Sequence, residues 1–105
     1  MEKDFGTVLL LDTYVRLLTE KQQRLCDMYY NLDYSLAEIA QIEKTTRQAA
    51  RDGISKARQK LRHLEETLAL CAKKEETRSA IAGAIGGSAA DMTRAMNDIR
   101  KIWEA

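Results

Sequence analysis

Between Thr19 and Leu64 the residues spell a cap, a helix, a turn, a short helix and then a long basic helix, and this order constrains the fold more than any other feature. Thr19-Glu20-Lys21-Gln22-Gln23-Arg24-Leu25 reads as a cap followed by an amphipathic helix. A turn is expected at Asn31-Leu32-Asp33-Tyr34. Ser35 with Glu38 three residues later is a capping-box signature at the head of a short helix, Leu36 to Ile42. Ala40 is small where two helices would cross closely. Either Thr45 or Thr46 can cap the next helix, which opens Arg47-Gln48-Ala49-Ala50-Arg51-Asp52. A basic helix held out by a short supporting helix is a common way to enter a nucleic-acid groove.

The rest of the chain continues the helical pattern. Of 105 residues none is proline, so nothing forces a break. A first helix is expected from about Phe5 to Leu18, with Val8, Leu11, Val15 and Leu18 on one face. The second should bury Leu25, Met28, Tyr29 and Leu32, and the third Leu36, Ile39 and Ala40. The fourth runs far past the usual end of a recognition helix, because Ile54, Ala57, Leu61, Leu64, Leu68 and Cys71 recur in alternating three- and four-residue steps. That seam is about 26 Å long. It fits an oligomer interface built on Ile54, Ala57, Leu61, Leu64 and Leu68, or a surface over which helix one or the last helix folds back. After a glycine-rich break at Gly83-Ala84-Ile85-Gly86-Gly87, Ser88 can cap a final helix to Trp103. Its Ala89, Met92, Met96, Ile99 and Trp103 form a second apolar seam. The organisation expected is a helix-turn-helix domain over 1–72 and a linker with a C-terminal helix over 73–105.

Charge is concentrated rather than large. The net +1 of the chain divides into −4 over residues 1–43, +6 over 44–62 and −1 over 63–105. In the middle segment Lys44, Arg47, Arg51, Lys56, Arg58, Lys60 and Arg62 face Asp52 as the one acid. Such a segment favours a polyanion. Arg47, Gln48 and Arg51 fall on the first turns of the fourth helix, where arginine can pair with guanine and glutamine with adenine, while Lys44 and Thr46 can hold phosphates. Lys56 and Arg58 would lie farther along as backbone contacts, with Lys60 and Arg62 beyond. The competing reading is that these cations solubilise the outer side of a coiled-coil helix.

Several classes find no support. There is no phosphate-binding glycine loop, no cysteine or histidine cluster and no nucleophile–base pair, so neither an enzyme, a metal nor a cofactor is expected. His63 reads as a solvated or packing residue. Cys26 and Cys71 fall on apolar helix faces and read as buried, reduced thiols of a cytoplasmic protein. Glu2 and Asp4 argue against a signal peptide, and no stretch approaches the roughly 20 apolar residues of a membrane span. Gly53 implies a close approach or a bend, since glycine inside a helix costs about 1 kcal/mol relative to alanine.

At Leu18-Thr19-Glu20-Lys21-Gln22, Tyr29-Tyr30, Asp33-Tyr34-Ser35-Leu36-Ala37-Glu38-Ile39-Ala40 and Thr46-Arg47-Gln48-Ala49 the chain resembles the YlxM family over roughly residues 5–72. These are small bacterial proteins similar to region four of sigma factors. The resemblance implies an all-α fold: a sigma-region-four-like helix-turn-helix without a wing, with an extended fourth helix here and an additional C-terminal helix. It also implies a self-associated accessory or regulator of the signal recognition particle pathway, binding its RNA, its protein GTPase or both. Double-stranded DNA is the rival partner, because region four of sigma factors binds promoters. The family pattern Ser-Arg-Gln-Ala-Val is met with Thr46 for the serine, which keeps the cap hydroxyl. Ala50 stands for the valine, which implies altered packing under the fourth helix.

Overall fold

The computed structural model describes residues 4–104, apart from the side chain of Phe5. Six α-helices and no strand occur among them: α1 Phe5–Tyr14, α2 Glu20–Cys26, α3 Leu36–Ile42, α4 Arg47–Leu68, α5 Leu70–Ala84 and α6 Ala89–Trp103. The chain forms two compact units, one ending at Leu68 and the other beginning at Ala69.

Side chains fix the helix starts in the first unit. Asp4 caps α1, accepting from the Thr7 backbone N–H at 2.7 Å and from its hydroxyl at 2.8 and 2.9 Å. Thr19 with Gln22 and Ser35 with Glu38 form reciprocal capping boxes at α2 and α3, so backbone donors without intrahelical partners are satisfied at each start. Between α2 and α3 the chain widens into a π-helical turn, Asp27–Asn31, in which the Leu32 N–H donates to the Asp27 carbonyl five residues back at 3.0 Å. Asp33 then takes a left-handed conformation, φ +58°. The wider turn explains one departure from the expected pattern. Leu25, Met28 and Tyr29 are buried, but Leu32 is 50% exposed, because the π-turn breaks the 3.6-residue period that would have carried it inward.

Packing in the first unit follows α4. Leu25, Met28, Tyr29 and Ile39 close on Ala50 and Ile54, with Tyr30, Tyr34 and Leu36 at the margin. Ala50, small where the family pattern has valine, is fully inside this cluster. Gly53 marks a close approach of α2 and not a bend: a Cβ there would sit 2.6 Å from Leu25 Cδ1. Farther along, α1 lies against α4. It presents Thr7, Leu11 and Tyr14, all buried, and Leu18 beyond it is buried as well, where Val8, Leu11, Val15 and Leu18 were expected on one helix face. The α-helix ends at Tyr14 and a 3₁₀ turn carries Val15–Leu17, so the predicted face is rotated and Val15 is only half-buried. Tyr14 donates its hydroxyl to Glu65 at 2.6 Å, and Asp4 pairs with Arg58 at 2.9 Å, tying both ends of α1 to α4.

This arrangement corrects the seam. Ile54, Ala57 and Leu61 have 0% exposure and are core of the chain's own first unit, so they are not available as an oligomer interface. Beyond them Leu64 is half-buried and Leu68 is 40% exposed. Nor does the helix continue through Cys71: α4 stops at Leu68, and Ala69 is left-handed at φ +54°. The unit boundary falls there rather than at 72/73, and residues expected as linker form α5.

In the second unit α5 and α6 pack as a hairpin. The four-residue connection places Gly86 at φ +76°, a value glycine adopts without strain, and Ser88 with Asp91 forms a third capping box. The Trp103 indole N–H donates to the Thr77 hydroxyl at 2.8 Å, and the Lys73 ammonium lies 5.9 Å from the ring centroid. Ala95 is the one buried residue among those described in this unit.

Candidate nucleic-acid interface

The turn between α3 and α4 aims the basic residues. Lys44 takes the left-handed position after α3, φ +54°, and the Thr45 N–H reaches back to the Ala40 carbonyl at 2.9 Å. The chain therefore reverses tightly, and Thr46 caps α4 by accepting from the Ala49 N–H at 3.0 Å. A short ion pair, Arg24 to Glu43 at 3.1 Å, ties α2 to the start of this turn. Ile39 on the buried side of α3 packs with Ala50 and Ile54, so the first turns of α4 are supported from beneath and bare above.

Lys44, Thr46, Arg47, Gln48 and Arg51 are all exposed. They are brought together at the head of α4 as expected. Gln48 is not idle, since its amide donates to Asp52 at 2.9 Å, which orients it along the helix and places an acid within the basic surface. At about 100° per residue Arg47 and Arg51 share one flank of α4, and Gln48 lies next to them on the outward face. Beside Arg47 is a hollow of about 530 Å³ lined by Tyr29, Tyr34, Leu36, Ser35 and two acids, Asp33 and Glu38. The Ser35 backbone and hydroxyl hold Glu38 below the usual carboxylate range, so it remains anionic there. Acids on this side narrow the positive strip to the outer face of α4.

Two predicted contacts lie apart from this cluster. Lys56 is exposed, but it projects on the side of α4 opposite Arg47, in a hollow of about 430 Å³ shared with Thr19, Lys21 and Gln22 of α2. Arg58 lies on the Arg47 flank, yet its side chain is 16% exposed and engaged by Asp4. Its Nε is buried without a protein acceptor. Arg58 therefore clamps α1 to α4 rather than standing out as a phosphate contact, for a reason the sequence hides: its partner is 54 residues away. Sequence reasoning passed over Ser55 and Gln59, which with Arg58 and Arg62 line a hollow of about 210 Å³ farther along α4. Their spacing from Arg51 and Arg62, three or four residues, was the available signal.

No group of three or more histidine, cysteine, aspartate or glutamate side chains suited to a metal occurs among the described residues. Burial pushes the Cys26 thiol up to about 11, which suppresses thiolate reactivity near neutrality. No helix among these residues is long and apolar enough to cross a membrane.

A short supporting helix, a tight turn and an exposed, capped basic helix define a helix-turn-helix protein. The chain belongs to the family described as "Putative helix-turn-helix protein, YlxM / p13 like", which matches residues 1–102. It is similar to a UPF0122 protein of Clostridium kluyveri, 47% identical over 75 residues, covering 71% of this chain and 68% of that protein. A UPF0122 protein of Clostridium perfringens is 48% identical over 73 residues, covering 70% of this chain and 65% of the relative. One from Caldanaerobacter subterraneus is 44% identical over 77 residues, covering 72% and 66%. The family resemblance drawn from Thr19, Ser35, Glu38 and the Thr46-Arg47-Gln48-Ala49 run is thus shown across nearly the whole chain.

Proposed function

We propose that this chain is a cytoplasmic, non-catalytic nucleic-acid-binding protein that acts as an accessory of the signal recognition particle, engaging its RNA, its protein GTPase or both. The observation that carries the nucleic-acid part is the exposure of Lys44, Thr46, Arg47, Gln48 and Arg51 together at the supported head of α4. Arginine and lysine there neutralise phosphates, and released counterions then supply much of the affinity. The particle as partner is implied by the family resemblance. A second reading, a sequence-specific DNA-binding regulator, draws on the same head of α4, because outward arginine and glutamine suit base edges in a major groove.

Binding of the full chain to the particle's RNA, to its GTPase and to random and promoter duplex DNA at equal salt tests these readings. Affinity for the particle RNA should fall steeply with added salt. Arg47→Ala with Arg51→Ala should weaken it at least tenfold while leaving the thermal midpoint within about a degree, since exposed substitutions of this kind change stability little. Unchanged affinity in that variant removes the surface. Preference for particular duplexes, with about 1–3 kcal/mol lost per mismatched pair and no binding to particle RNA or GTPase, selects the DNA regulator instead.

A further inference from the structure

The hollow of about 530 Å³ at the head of α4 brings unlike chemistries together. Tyr34 and Leu36, both half-buried at the margin of the core, give it an aromatic and aliphatic side. Asp33 and Glu38 give it an acidic side, and Arg47, the first residue of α4, lines it too. Its volume is that of a small-molecule site. Backbone bonds fix these walls. Asp33 sits in the left-handed region at φ +58°, and the Tyr34 N–H donates to the Met28 carbonyl at 2.9 Å. The Ser35 N–H donates to Glu38 Oε1 at 3.0 Å, while the Glu38 N–H donates to the Ser35 hydroxyl at 3.1 Å. The bond to Oε1 takes one of about four acceptor positions on the carboxylate. Ring and carboxylate are thus in place before a ligand arrives, which lowers the cost of ordering them on binding.

Resting on the nucleic-acid reading of the head of α4, we propose that this hollow is a base-binding site for an unpaired guanine. Tyr34 offers the stacking surface, Glu38 accepts from the Watson–Crick edge, and Arg47 holds the adjoining phosphate. The donor pattern selects the base. Guanine sets its N1–H and N2 amino group side by side, two donors for one carboxylate. Adenine and cytosine place a ring-nitrogen acceptor beside the amino group, and uracil flanks its N–H with carbonyls. An ionised carboxylate only accepts, so it repels those acceptors. Pairing closes this edge in a duplex, so the guanine must come from a loop, a bulge or a single strand, where bases stack on aromatic rings and are read on that edge. The two acids would also suit a lysine or arginine side chain of a protein partner, but the charge of Arg47 in the same hollow opposes a second cation. For a nucleotide Arg47 has the opposite effect, joining the hollow to Lys44 and Arg51 along the exposed basic strip. The hollow thereby adds base choice to a strip that by itself holds any phosphate backbone.

Uridine octamers with one central guanine, adenine, inosine or N1-methylguanine, in ribose and deoxyribose series, test this by fluorescence anisotropy with the full chain. The guanine oligomer should bind about tenfold more tightly than those with adenine or N1-methylguanine, and inosine, which lacks the N2 amino group, should fall between. Glu38→Gln should erase the preference. Its amide oxygen can accept from the Ser35 N–H, as Gln22 does from Thr19 in the capping box of α2, which keeps the fold and leaves N–H donors facing the donors of guanine. The comparison among oligomers needs no variant. Equal binding of all four overturns the proposal; if Arg47→Ala with Arg51→Ala then weakens them together, the nucleic-acid reading stands without it. A guanine preference that persists in Glu38→Gln also overturns it. If no oligomer and no duplex binds at low salt, both readings fall. If a Gly-Arg-Gly peptide, and not the guanine oligomer, shifts the Tyr34 and Glu38 amide resonances, the hollow belongs to a protein partner and the proposal is overturned. Guanine preference in both sugar series supports the site, and the tighter series assigns the source as RNA or unpaired DNA.

Discussion

Gly53 sets how closely α2 can approach α4, since an alanine Cβ would meet Leu25 Cδ1 at 2.6 Å. Leu25 is 1% exposed and part of the core cluster, so its methyl would have to shift against packed neighbours. Alanine would gain about 1 kcal/mol of helix propensity, whereas overpacking a core costs about 1–3 kcal/mol. Overpacking should win: Gly53→Ala is expected to lower stability by about 1 kcal/mol in urea titration, and Gly53→Val by more. Tyr30 offers the opposite case. Its hydroxyl is buried with no protein partner, and its ring meets Tyr29 edge-on at 5.0 Å. Phenylalanine keeps the ring contact and removes the hydroxyl's desolvation cost, so Tyr30→Phe should raise stability by about 1 kcal/mol. Burial also pushes Tyr30 to about 12, against an ordinary value near 10. The folded form therefore favours the neutral phenol, and this contribution is complete below about pH 10 and lost as pH rises towards 12. Thermal melts across that range should show a shallower alkaline decline in Tyr30→Phe than in the unaltered chain.

At the scale of elements, helix starts were legible and helix faces less so. Ser35 and Glu38 announce the start of α3 because both halves of the cap lie within four residues, and Thr46 and Ser88 do the same for α4 and α6. The inner side of α1 is displaced by about one residue from the expected one, because the apolar run Val8–Leu11 passes round several sides of the helix and the choice is made by α4, far away in sequence. The π-turn at Asp27–Asn31 carries no signature residue, and Leu32 was misplaced with it. Arg58 shows the same limit within the site, since local charge density placed it with Arg47 while a distant carboxylate claimed it. The Asp4–Arg58 contact also makes a prediction. Asp4 both caps α1 and faces Arg58, and its side chain is 42% exposed, so the ion pair itself contributes 1 kcal/mol at most after solvent screening. The cap adds about 1 kcal/mol. Asp4→Ala should therefore cost about 1–2 kcal/mol at neutral pH. Bonds from the Thr7 backbone and hydroxyl, and then the Arg58 charge, hold the Asp4 carboxyl below its ordinary value. A depressed carboxyl stabilises the fold above its unfolded pKa and loses that effect as pH falls through the folded one. The gap between Asp4→Ala and the unaltered chain in denaturant titrations should accordingly close on acidification below about pH 4, and a gap independent of pH would show that the carboxylate is not what α1 relies on.

For the whole molecule, the distribution of buried side chains predicts where cooperativity resides. Tyr14, Leu25, Cys26, Ile39, Ile54 and Leu61, the largest side chains fully withdrawn from water, all precede Leu68. Each contributes about 1.5–3 kcal/mol of burial, so the first unit holds nearly all of the hydrophobic stabilisation. The boundary itself was not legible, because Ala69 is the strongest helix former placed where the helix ends. The last side-chain bond between α1 and α4 is the one from Tyr14 to Glu65, and α4 ends three residues later at Leu68. A chain cut after Leu68 should therefore keep the helix-turn-helix, unfold in one transition with a midpoint within a few degrees of the full chain, and still bind nucleic acid through Arg47 and Arg51. The separate 69–105 peptide should be weakly helical when dilute, because Ala95 alone among its described residues is buried and two short helices hold little order without a core. Circular dichroism of both pieces checks this division. Loss of the cooperative transition in the first piece would mean that its core depends on the hairpin, and full helicity of the dilute peptide would mean that the hairpin orders by itself.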